Sequence, residues 1–190
     1  MRANMHIILA LLAALTVSRV ACADSVGFPQ PYCNWNTSNV APITHVDFAD
    51  LVNDSESGSG LLPLEDFTRV TASLMAGETS TIHVEAETGG FPPLPMRVAV
   101  YIDWNLDGDF DDSDESFDLG WLQGGGGSGG SSGTINVPLY VVDSNTRMRV
   151  VAAGTSGGNA PACGYADKGQ AEDYTLKLRA EILFIDGFEQ

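Results

Sequence analysis

An antiparallel β-sandwich of about seven to nine strands, all-β, is the fold class that this sequence predicts. Short runs in which apolar and polar residues alternate recur along the chain, as half-buried strands require. Clusters of Gly, Pro, Asn and Asp separate these runs, and helical periodicity is nearly absent. The chain has 190 residues, which is long enough for one such domain with a sizeable core.

The first 23 residues have the pattern of a secretory signal peptide. Arg2 supplies a positive start, residues 7–15 are apolar, and the small residues at 21–23 fit a cleavage site. The apolar run is too short and wrongly flanked for a membrane span. We therefore predict a secreted protein, extracellular or periplasmic, with no transmembrane segment.

Cleavage after residue 23 leaves a mature chain with one predicted domain, residues 24–180, and a short tail, residues 181–190. The tail contains Asp-Gly-Phe-Glu and is similar to the endings of some secreted proteins of Gram-negative bacteria. A lipoprotein would instead keep Cys22 as its modified first residue, but Arg19 fits poorly in the tripeptide before it.

Two cysteines remain after cleavage, Cys33 and Cys163. An even pair in an oxidising compartment predicts a disulfide, with two free thiols as the alternative. The bond would close a loop of 163 − 33 = 130 residues. The chain-entropy model assigns such a loop about 4–5 kcal/mol of stabilisation.

The mature chain is strongly acidic. Removal of Arg2 and Arg19 takes the formal charge from −16 to −18. Such a surface argues against nucleic acid and anionic membranes as partners and suits a protein that gathers divalent cations. We expect a monomer whose partner is an unidentified protein or polysaccharide.

Seven alternating runs are the predicted strands. They are residues 43–48, 67–74, 80–87, 96–104, 134–137, 146–152 and 173–179. In the fourth run, alternate residues from Val98 to Trp104 share the apolar face. Asp103 lies on the other face, so its side chain is predicted to point away from the core.

Two polar tracts are predicted to be loops. Residues 53–60 form one, and the Gly/Ser tract at 124–133 reads as a low-complexity linker between strands. Glycine motifs for a nucleophile or a phosphate occur in the second tract by chance, because no helix follows it.

Residues 103–115 hold an unusual concentration of negative charge. The seven carboxylates are Asp103, Asp107, Asp109, Asp111, Asp112, Asp114 and Glu115, with no Lys or Arg among them. Two carboxylates about 5 Å apart repel by roughly 3 kcal/mol at an effective dielectric constant near 20. The segment is therefore either fully solvated or built around a cation.

The spacing favours a cation, because it matches an EF-hand-type calcium loop. Oxygen side chains stand at positions 1, 3 and 5, glycine at 6 and an apolar residue at 8. The predicted ligands of Ca²⁺ are Asp103, Asn105, Asp107, Asp109, Asp114 and Glu115. Position 12 is Asp114 rather than Glu, so either it or Glu115 closes the site, with Asp111 or Asp112 contributing. We expect structural calcium, because no histidine stands nearby to favour zinc or iron.

Other candidates for chemistry are weaker. His83 lies on the polar face of its run, and His45 has no discernible partner. Trp104 falls on the apolar face and is predicted to be core, whereas Trp35 and Trp121 stay open as stacking surfaces for a sugar. No nucleophile–base arrangement is evident.

Several segments, in order, resemble the GEVED domain family over residues 31–179. They are "PYCNWN", "DFTRVTASLMAGETSTIHV", "VAVYIDWNLDGDFDDSDE", "INVP", "TRMRVV" and "GQAEDYTLKL". The family's Asp-Trp-Asn-x-Asp-Gly-Asp-Phe run falls on residues 103–110, and its Glu-Asp-Tyr falls on Glu172, Asp173 and Tyr174. This chain departs from the signature at Gln170 and Ala171, where the family usually has Glu and Val.

The resemblance implies a β-sandwich accessory module of bacterial secreted and cell-surface proteins. We therefore expect adhesion or ligand binding rather than catalysis; a carbohydrate-binding module and a hydrolase with an acidic dyad are the alternatives. Glu172 or Asp173 is expected near the acidic loop or the Cys163 turn, with a salt bridge or a strand cap as the alternative role.

Overall fold

The computed structural model describes residues 31–56, 60–88, 95–122, 127–154 and 158–181. The predicted signal peptide and all of the predicted tail except its first residue lie outside these ranges. Within them there is no helix with the length and hydropathy that a membrane span needs.

Eleven strands make up the described part of the chain. They are β1 (Trp35–Thr37), β2 (Ile43–Phe48), β3 (Leu51–Asp54), β4 (Leu64–Met75), β5 (Thr79–Glu87), β6 (Met96–Ile102), β7 (Ser116–Trp121), β8 (Ser128–Asn136), β9 (Ser144–Gly154), β10 (Gly164–Ala166) and β11 (Lys168–Arg179). All seven predicted strands are present, and the all-β prediction is confirmed.

Nine of these strands form two facing sheets. The five-stranded sheet has the order β4-β11-β9-β6-β7, and the four-stranded sheet has the order β3-β2-β5-β8. Their inner faces supply one apolar core, to which Val46 and Val84 contribute from one sheet and Val100 and Leu176 from the other. Most pairings are antiparallel, but β4 pairs with β11 in parallel, which makes the larger sheet mixed.

A third, two-stranded sheet covers the outer face of the larger one. Strands β1 and β10 pair in parallel, and Trp35 of β1 belongs to a second apolar cluster with Ala99, Tyr101 and Val151. Because this cover exists, both faces of β6 and β9 are buried, which explains the near-continuous apolar runs of these two strands.

The side chain of Asp103 points away from the main core, as predicted, but it is not solvated. It is 0% exposed, and its carboxylate contacts the Tyr32 hydroxyl and the amides of its own loop. Alternation along one strand reveals which residues share a face but does not reveal whether another layer covers that face.

The Gly/Ser tract also differs from the prediction of a linker. Residues 128–133 belong to β8, which pairs with β5 through nine residue pairs and forms an edge of its sheet. Small residues are needed there because a Cβ on Gly133 would lie 2.5 Å from Leu119 Cδ2 of the opposite sheet. The composition that suggested a flexible linker therefore allows close packing between sheets.

The predicted disulfide is confirmed. Cys33 and Cys163 are bonded, with their Cα atoms 5.6 Å apart. Since Cys33 precedes β1 and Cys163 precedes β10, the bond joins the starts of the two strands that cover the larger sheet.

We expect the substitution Gly133→Ala to destabilise the fold by about 1–3 kcal/mol, because Leu119 must move to make room. Urea unfolding measures the loss. Gly158→Ala is the control, since a methyl group there meets no atom within 4 Å. The cost of Gly133→Ala should shrink in a Leu119→Ala background, and an equal cost in both backgrounds would contradict the packing explanation.

Candidate functional site

The acidic loop, residues 103–115, connects β6 to β7 and is shaped by its own side chains. Asn105 Oδ1 accepts a hydrogen bond from the Asp107 N–H at 2.9 Å. Asp107 Oδ1 accepts from the Asp109 N–H at 3.2 Å, and Asp109 Oδ1 from the Asp111 N–H at 2.9 Å. Alternating Asp and Asn residues therefore encode successive turns in which each side chain binds the backbone two residues ahead.

Asp103 anchors the start of the loop. Its Oδ1 accepts a hydrogen bond from the Leu106 N–H at 2.6 Å, and its Oδ2 accepts from the Gly108 N–H at 3.0 Å. The hydroxyl of Tyr32 donates to the same Oδ2 at 2.7 Å. A carboxylate that accepts several such bonds is well satisfied inside the protein, so Asp103 organises the loop backbone whether or not it binds a cation.

Gly108 allows the loop to lie against the N-terminal segment. Its φ of +94° falls in the region that glycine adopts without a steric penalty. A Cβ built on it would lie 2.1 Å from Pro31 Cγ. Both the backbone conformation and the close approach therefore require glycine here.

Glu115 is the last residue of the loop, directly before β7, and its side chain is 0% exposed. Its Oε1 accepts a hydrogen bond from the Trp104 N–H at 2.9 Å. Its Oε2 has no partner; among the described residues only Trp104 Nε1 shares that condition. Burial, reinforced by the charge of Asp103, raises the pKa of Glu115 to about 7.

The exposed acids of the loop crowd one another. Asn105 Nδ2 donates to Asp107 Oδ2 at 2.8 Å and to Asp112 Oδ2 at 2.5 Å. Desolvation and then the charge of Asp107 raise the pKa of Asp112. Asp114 instead accepts a hydrogen bond from the Tyr140 hydroxyl, which lies in the connection between β8 and β9.

The loop thus separates the predicted ligands into groups. Asp103 and Glu115 are buried beneath it, Asn105 and Asp107 are exposed and in contact, and Asp109 and Asp114 face other partners. As they stand, no three His, Cys, Asp or Glu side chains in the described ranges converge on a point that could hold a metal ion.

Asp173 of the family signature is buried on β11. It forms ion pairs with two arginines, Arg147 and Arg149. Arg149 donates to it in a bidentate manner, Nε to Oδ1 at 2.7 Å and Nη2 to Oδ2 at 2.9 Å. Arg147 Nη1 adds a third bond to Oδ2 at 2.8 Å. Asp173 and Arg149 are both 0% exposed, so the charges are desolvated and depend on each other.

Arg149 also reaches the disulfide region. Its Nη1 donates to the Cys33 carbonyl and to the Ala162 carbonyl, both at 2.8 Å. The expectation that Asp173 lies near the Cys163 turn therefore agrees with the structure through Arg149, and its salt-bridge role is present as well.

Aromatic rings connect the ion pair to the acidic loop. The guanidinium of Arg147 lies 4.9 Å from the Tyr32 ring centroid, and that of Arg149 lies 5.3 Å from the Phe110 centroid. The Tyr32 and Phe110 rings stack with centroids 5.1 Å apart. Phe110, the predicted apolar anchor of the loop, is thus held by both a ring and a cation.

Glu172 and Tyr174 point to the opposite face of β11 and form a separate buried network. Glu172 accepts hydrogen bonds from the Ser55 hydroxyl, at 2.7 Å, and from the Tyr174 hydroxyl. Asn53 donates to the Tyr174 oxygen at 2.9 Å. Burial raises the pKa of Glu172 to about 7, with the charge of Glu65 adding to it.

Gln170 uses both polar atoms of its amide, one toward the other sheet and one toward the segment before β4. Its Oε1 accepts from the Ile43 N–H of β2 at 2.8 Å, and its Nε2 donates to the Leu62 carbonyl at 2.9 Å. A buried position that needs one acceptor and one donor suits a neutral amide, which accounts for the departure from the family's glutamate.

The tryptophans and histidines have different surroundings. Trp104 is buried as predicted, Trp35 is only 1% exposed, and Trp121 is 38% exposed. A paired platform of Trp35 and Trp121 is therefore not formed. His45, for which the sequence offered no partner, contacts Asp54 at 2.7 Å across two paired strands.

Comparison with known proteins supports the family resemblance over part of the chain. The model of the GEVED domain matches residues 97–177, from β6 into β11. The resemblance to the GEVED domain family is thereby confirmed over these residues. No curated protein matches the sequence.

One similar solved structure is Pseudomonas fluorescens alkylpurine DNA glycosylase AlkC bound to DNA containing an abasic site analog. The identity is 15% and the TM-score 0.35, and the match covers 71% of this chain and 30% of that one. The match spans less than a third of that protein, and so low a score supports no conclusion about fold or activity.

We expect the stability of this protein to fall as pH rises from about 4.5 to about 7, in part because Glu172 must then ionise while buried. The folded state holds the proton more tightly than the unfolded state, so stability is greatest below this window. A pKa of about 7 against an ordinary value of 4.5 corresponds to about 3 kcal/mol. Glu172→Gln should remove this part of the pH dependence.

The measurement is urea unfolding at pH 5 and pH 8 for the wild type, Glu172→Gln and the exposed control Glu181→Gln. The control corrects for the general effect of removing one negative charge. If Glu172→Gln and the control changed stability equally at the two pH values, the buried carboxylate would not be the cause.

Gln170→Glu should destabilise the protein by about 1–3 kcal/mol at pH 8, because a carboxylate cannot donate to the Leu62 carbonyl. Calorimetric melting curves measure the change. Gln170→Asn, which keeps the amide but shortens its reach, serves as the matched variant. A neutral effect of the glutamate would show that the hydrogen bond to the Leu62 carbonyl contributes little.

Proposed function

We propose that this chain is an exported β-sandwich module that binds one Ca²⁺ in the acidic loop and serves in adhesion or ligand binding rather than catalysis. The single observation that carries the calcium proposal is Glu115. Its Oε2 is buried without a hydrogen-bond partner directly beneath a loop of oxygen donors. An isolated buried carboxylate oxygen is costly unless a proton or a cation compensates it.

The donor set fits calcium chemically. The loop offers carboxylate, amide and backbone oxygens only, which are the ligands of hard divalent cations. Asp107 and Asp112 already share the amide of Asn105 at 2.8 and 2.5 Å, so both carboxylates can reach a common position. Bound calcium would supply charge that offsets the repulsion among these acids.

The surroundings of the loop support a structural role for the ion. Asp103 is tied to Tyr32, and the Tyr32 ring stacks on Phe110 and lies beside Arg147. If an ion fixes the acidic side chains of the loop, these contacts would also fix the Tyr32 segment that leads into the cover of the larger sheet. The two carboxyls with pKa values of about 7, Glu115 and Glu172, are both 0% exposed and lie in separate networks. They do not form a solvent-facing pair of the kind that glycoside hydrolysis uses.

Two features of an exported protein, a disulfide and access to extracellular calcium, support the same proposal. A disulfide between Cys33 and Cys163 persists in oxidising compartments. Extracellular modules bind calcium with dissociation constants of about 10⁻⁴–10⁻³ M, which is adequate outside the cell. The proposal of adhesion or ligand binding rests on the resemblance of residues 97–177 to the GEVED domain rather than on a formed pocket in the loop.

The test is a calorimetric calcium titration of the mature protein, residues 24–190, with melting curves in calcium and in chelator. Asp107→Asn and Glu115→Gln are the informative variants, and the exposed Asp167→Asn is the control. Asp103 is left unchanged because it also holds the Leu106 and Gly108 amides. We expect one site in the wild type and the control, a higher melting temperature with calcium, and at least tenfold weaker binding in both variants.

Two results would contradict the proposal. The wild type could melt at the same temperature with calcium and with chelator, in which case the loop is a solvated turn. Alternatively, the two loop variants could bind calcium as tightly as the control, in which case the ion binds elsewhere.

A further inference from the structure

His45 and His83 come together on the outer face of the four-stranded sheet. They lie on the neighbouring strands β2 and β5, with ring centroids 6.1 Å apart. Glu85 stands directly opposite His45 in the pairing of these strands. The three side chains are partly exposed, with fractions of 24% for His45, 39% for His83 and 55% for Glu85.

We propose that His45, His83 and Glu85 form an open site for a divalent transition metal, with Zn²⁺ as the best fit. Two imidazole nitrogens and one carboxylate, with the remaining position open to solvent, are a ligand set that zinc accepts in tetrahedral geometry. This site is independent of the acidic loop, which offers oxygen donors only.

The hydrogen bonds of His45 leave the correct nitrogen available. Its Nδ1 lies 2.7 Å from Asp54 Oδ1. An ionised carboxylate only accepts, so Nδ1 carries the proton and Nε2 of the neutral ring has the free lone pair. A carboxylate that orients a histidine through its second nitrogen is a common arrangement around protein-bound zinc.

His83 is oriented in the same way by a hydroxyl group. Its Nδ1 lies 2.7 Å from the Ser132 hydroxyl of β8, and its Nε2 lies 3.3 Å from Glu85 Oε1. In the neutral ring with Nε2 bound to a metal, the single proton lies on Nδ1 and is donated to the Ser132 oxygen. The hydrogen bonds of both histidines are therefore compatible with Nε2, rather than Nδ1, as the metal-binding nitrogen.

The separation of the rings is suitable for one ion between them. Zinc–nitrogen bonds of about 2.0–2.1 Å, with roughly 1.2 Å from nitrogen to ring centre, place two ligating rings about 5–6.5 Å apart. The observed 6.1 Å falls in this range. The ligand atoms do not yet converge, so Glu85 must exchange its hydrogen bond with His83 for the metal.

Gly130 provides the space for this adjustment. It pairs with Glu85 on the edge strand β8. A Cβ at this position would lie 2.9 Å from His83 Cε1 and 3.4 Å from His83 Nε2. A surface cavity of about 640 Å³ is lined by His83 and Glu85, together with Ser132 and Trp121. Water can therefore reach these two side chains.

The test is a zinc titration of the mature protein by calorimetry, in about 1 mM calcium so that the acidic loop is occupied by its own cation. Cobalt(II) absorption is the second readout, because the position and intensity of its visible bands distinguish tetrahedral from octahedral coordination. The variants are His45→Ala, His83→Ala and Glu85→Gln. Glu87→Gln, two residues further along the same strand, is the matched control.

We expect one zinc per chain in the wild type and in Glu87→Gln, with binding at least tenfold weaker in each of the three ligand variants. Their melting temperatures without zinc should stay close to that of the wild type, since the three side chains lie on the outer face of the sheet and are partly exposed. The proposal is overturned if the wild type binds no zinc, or if His45→Ala/His83→Ala binds zinc with unchanged affinity. Loss of calcium binding in the loop variants would leave this result unaffected, so the two sites are tested separately.

Discussion

The ion pair between Asp173 and Arg149 holds together the parts of this protein that lie outside its main core. Asp173 is on β11 and Arg149 on β9, at the centre of the larger sheet. Both are fully buried, and every polar atom of the pair has a partner that the sheet or its cover provides. Removing one member of such a pair leaves an uncompensated charge and typically costs 3–5 kcal/mol. The pair therefore requires a covering layer that places hydrogen-bond acceptors beside Arg149, as the Cys33 and Ala162 carbonyls do.

The segment that leads into this cover contacts the candidate calcium loop. Arg149 binds carbonyl groups beside both cysteines, which fixes the disulfide and the strands that follow it. Arg147 lies beside the Tyr32 ring, and the Tyr32 hydroxyl reaches Asp103. The family signature and the acidic loop are thus two ends of one buried polar chain, although about 70 residues separate them in sequence. This connection explains how a cation in an exposed loop would stabilise a whole domain.

The sequence was informative wherever a local pattern determines the structure. Alternation located seven strands, the cysteine pair predicted the disulfide, and the glycine in the acidic loop marked its sharp turn at Gly108. The sequence was misleading where contacts between residues far apart in the chain determine the structure. The Gly/Ser tract forms β8, with Leu119 and His83 packed over it, and Asp103 is buried where the Tyr32 segment lies over the loop. The partner of His45 was invisible for the same reason, since strand register brings Asp54 beside it.

The two proposed cation sites lie on separate parts of this fold. Residues 103–115 offer oxygen ligands at one end of β6, and the proposed histidine site lies on the outer face of the opposite sheet. A chain with a net formal charge of −16 attracts cations generally. Specificity would come from the buried Glu115 in one site and from the oriented imidazoles in the other.

The central claim, that Asp173 couples the cover and the acidic loop to the sandwich, is tested most directly by amide hydrogen exchange on Asp173→Asn. The account predicts faster exchange at the Leu106 and Gly108 amides, which depend on Asp103, and at the Gly164 amide beside the disulfide. The amides of Ile82 and Val84, in the other sheet, should keep their protection. Unchanged exchange in the loop, or an equal loss of protection in both sheets, would contradict it.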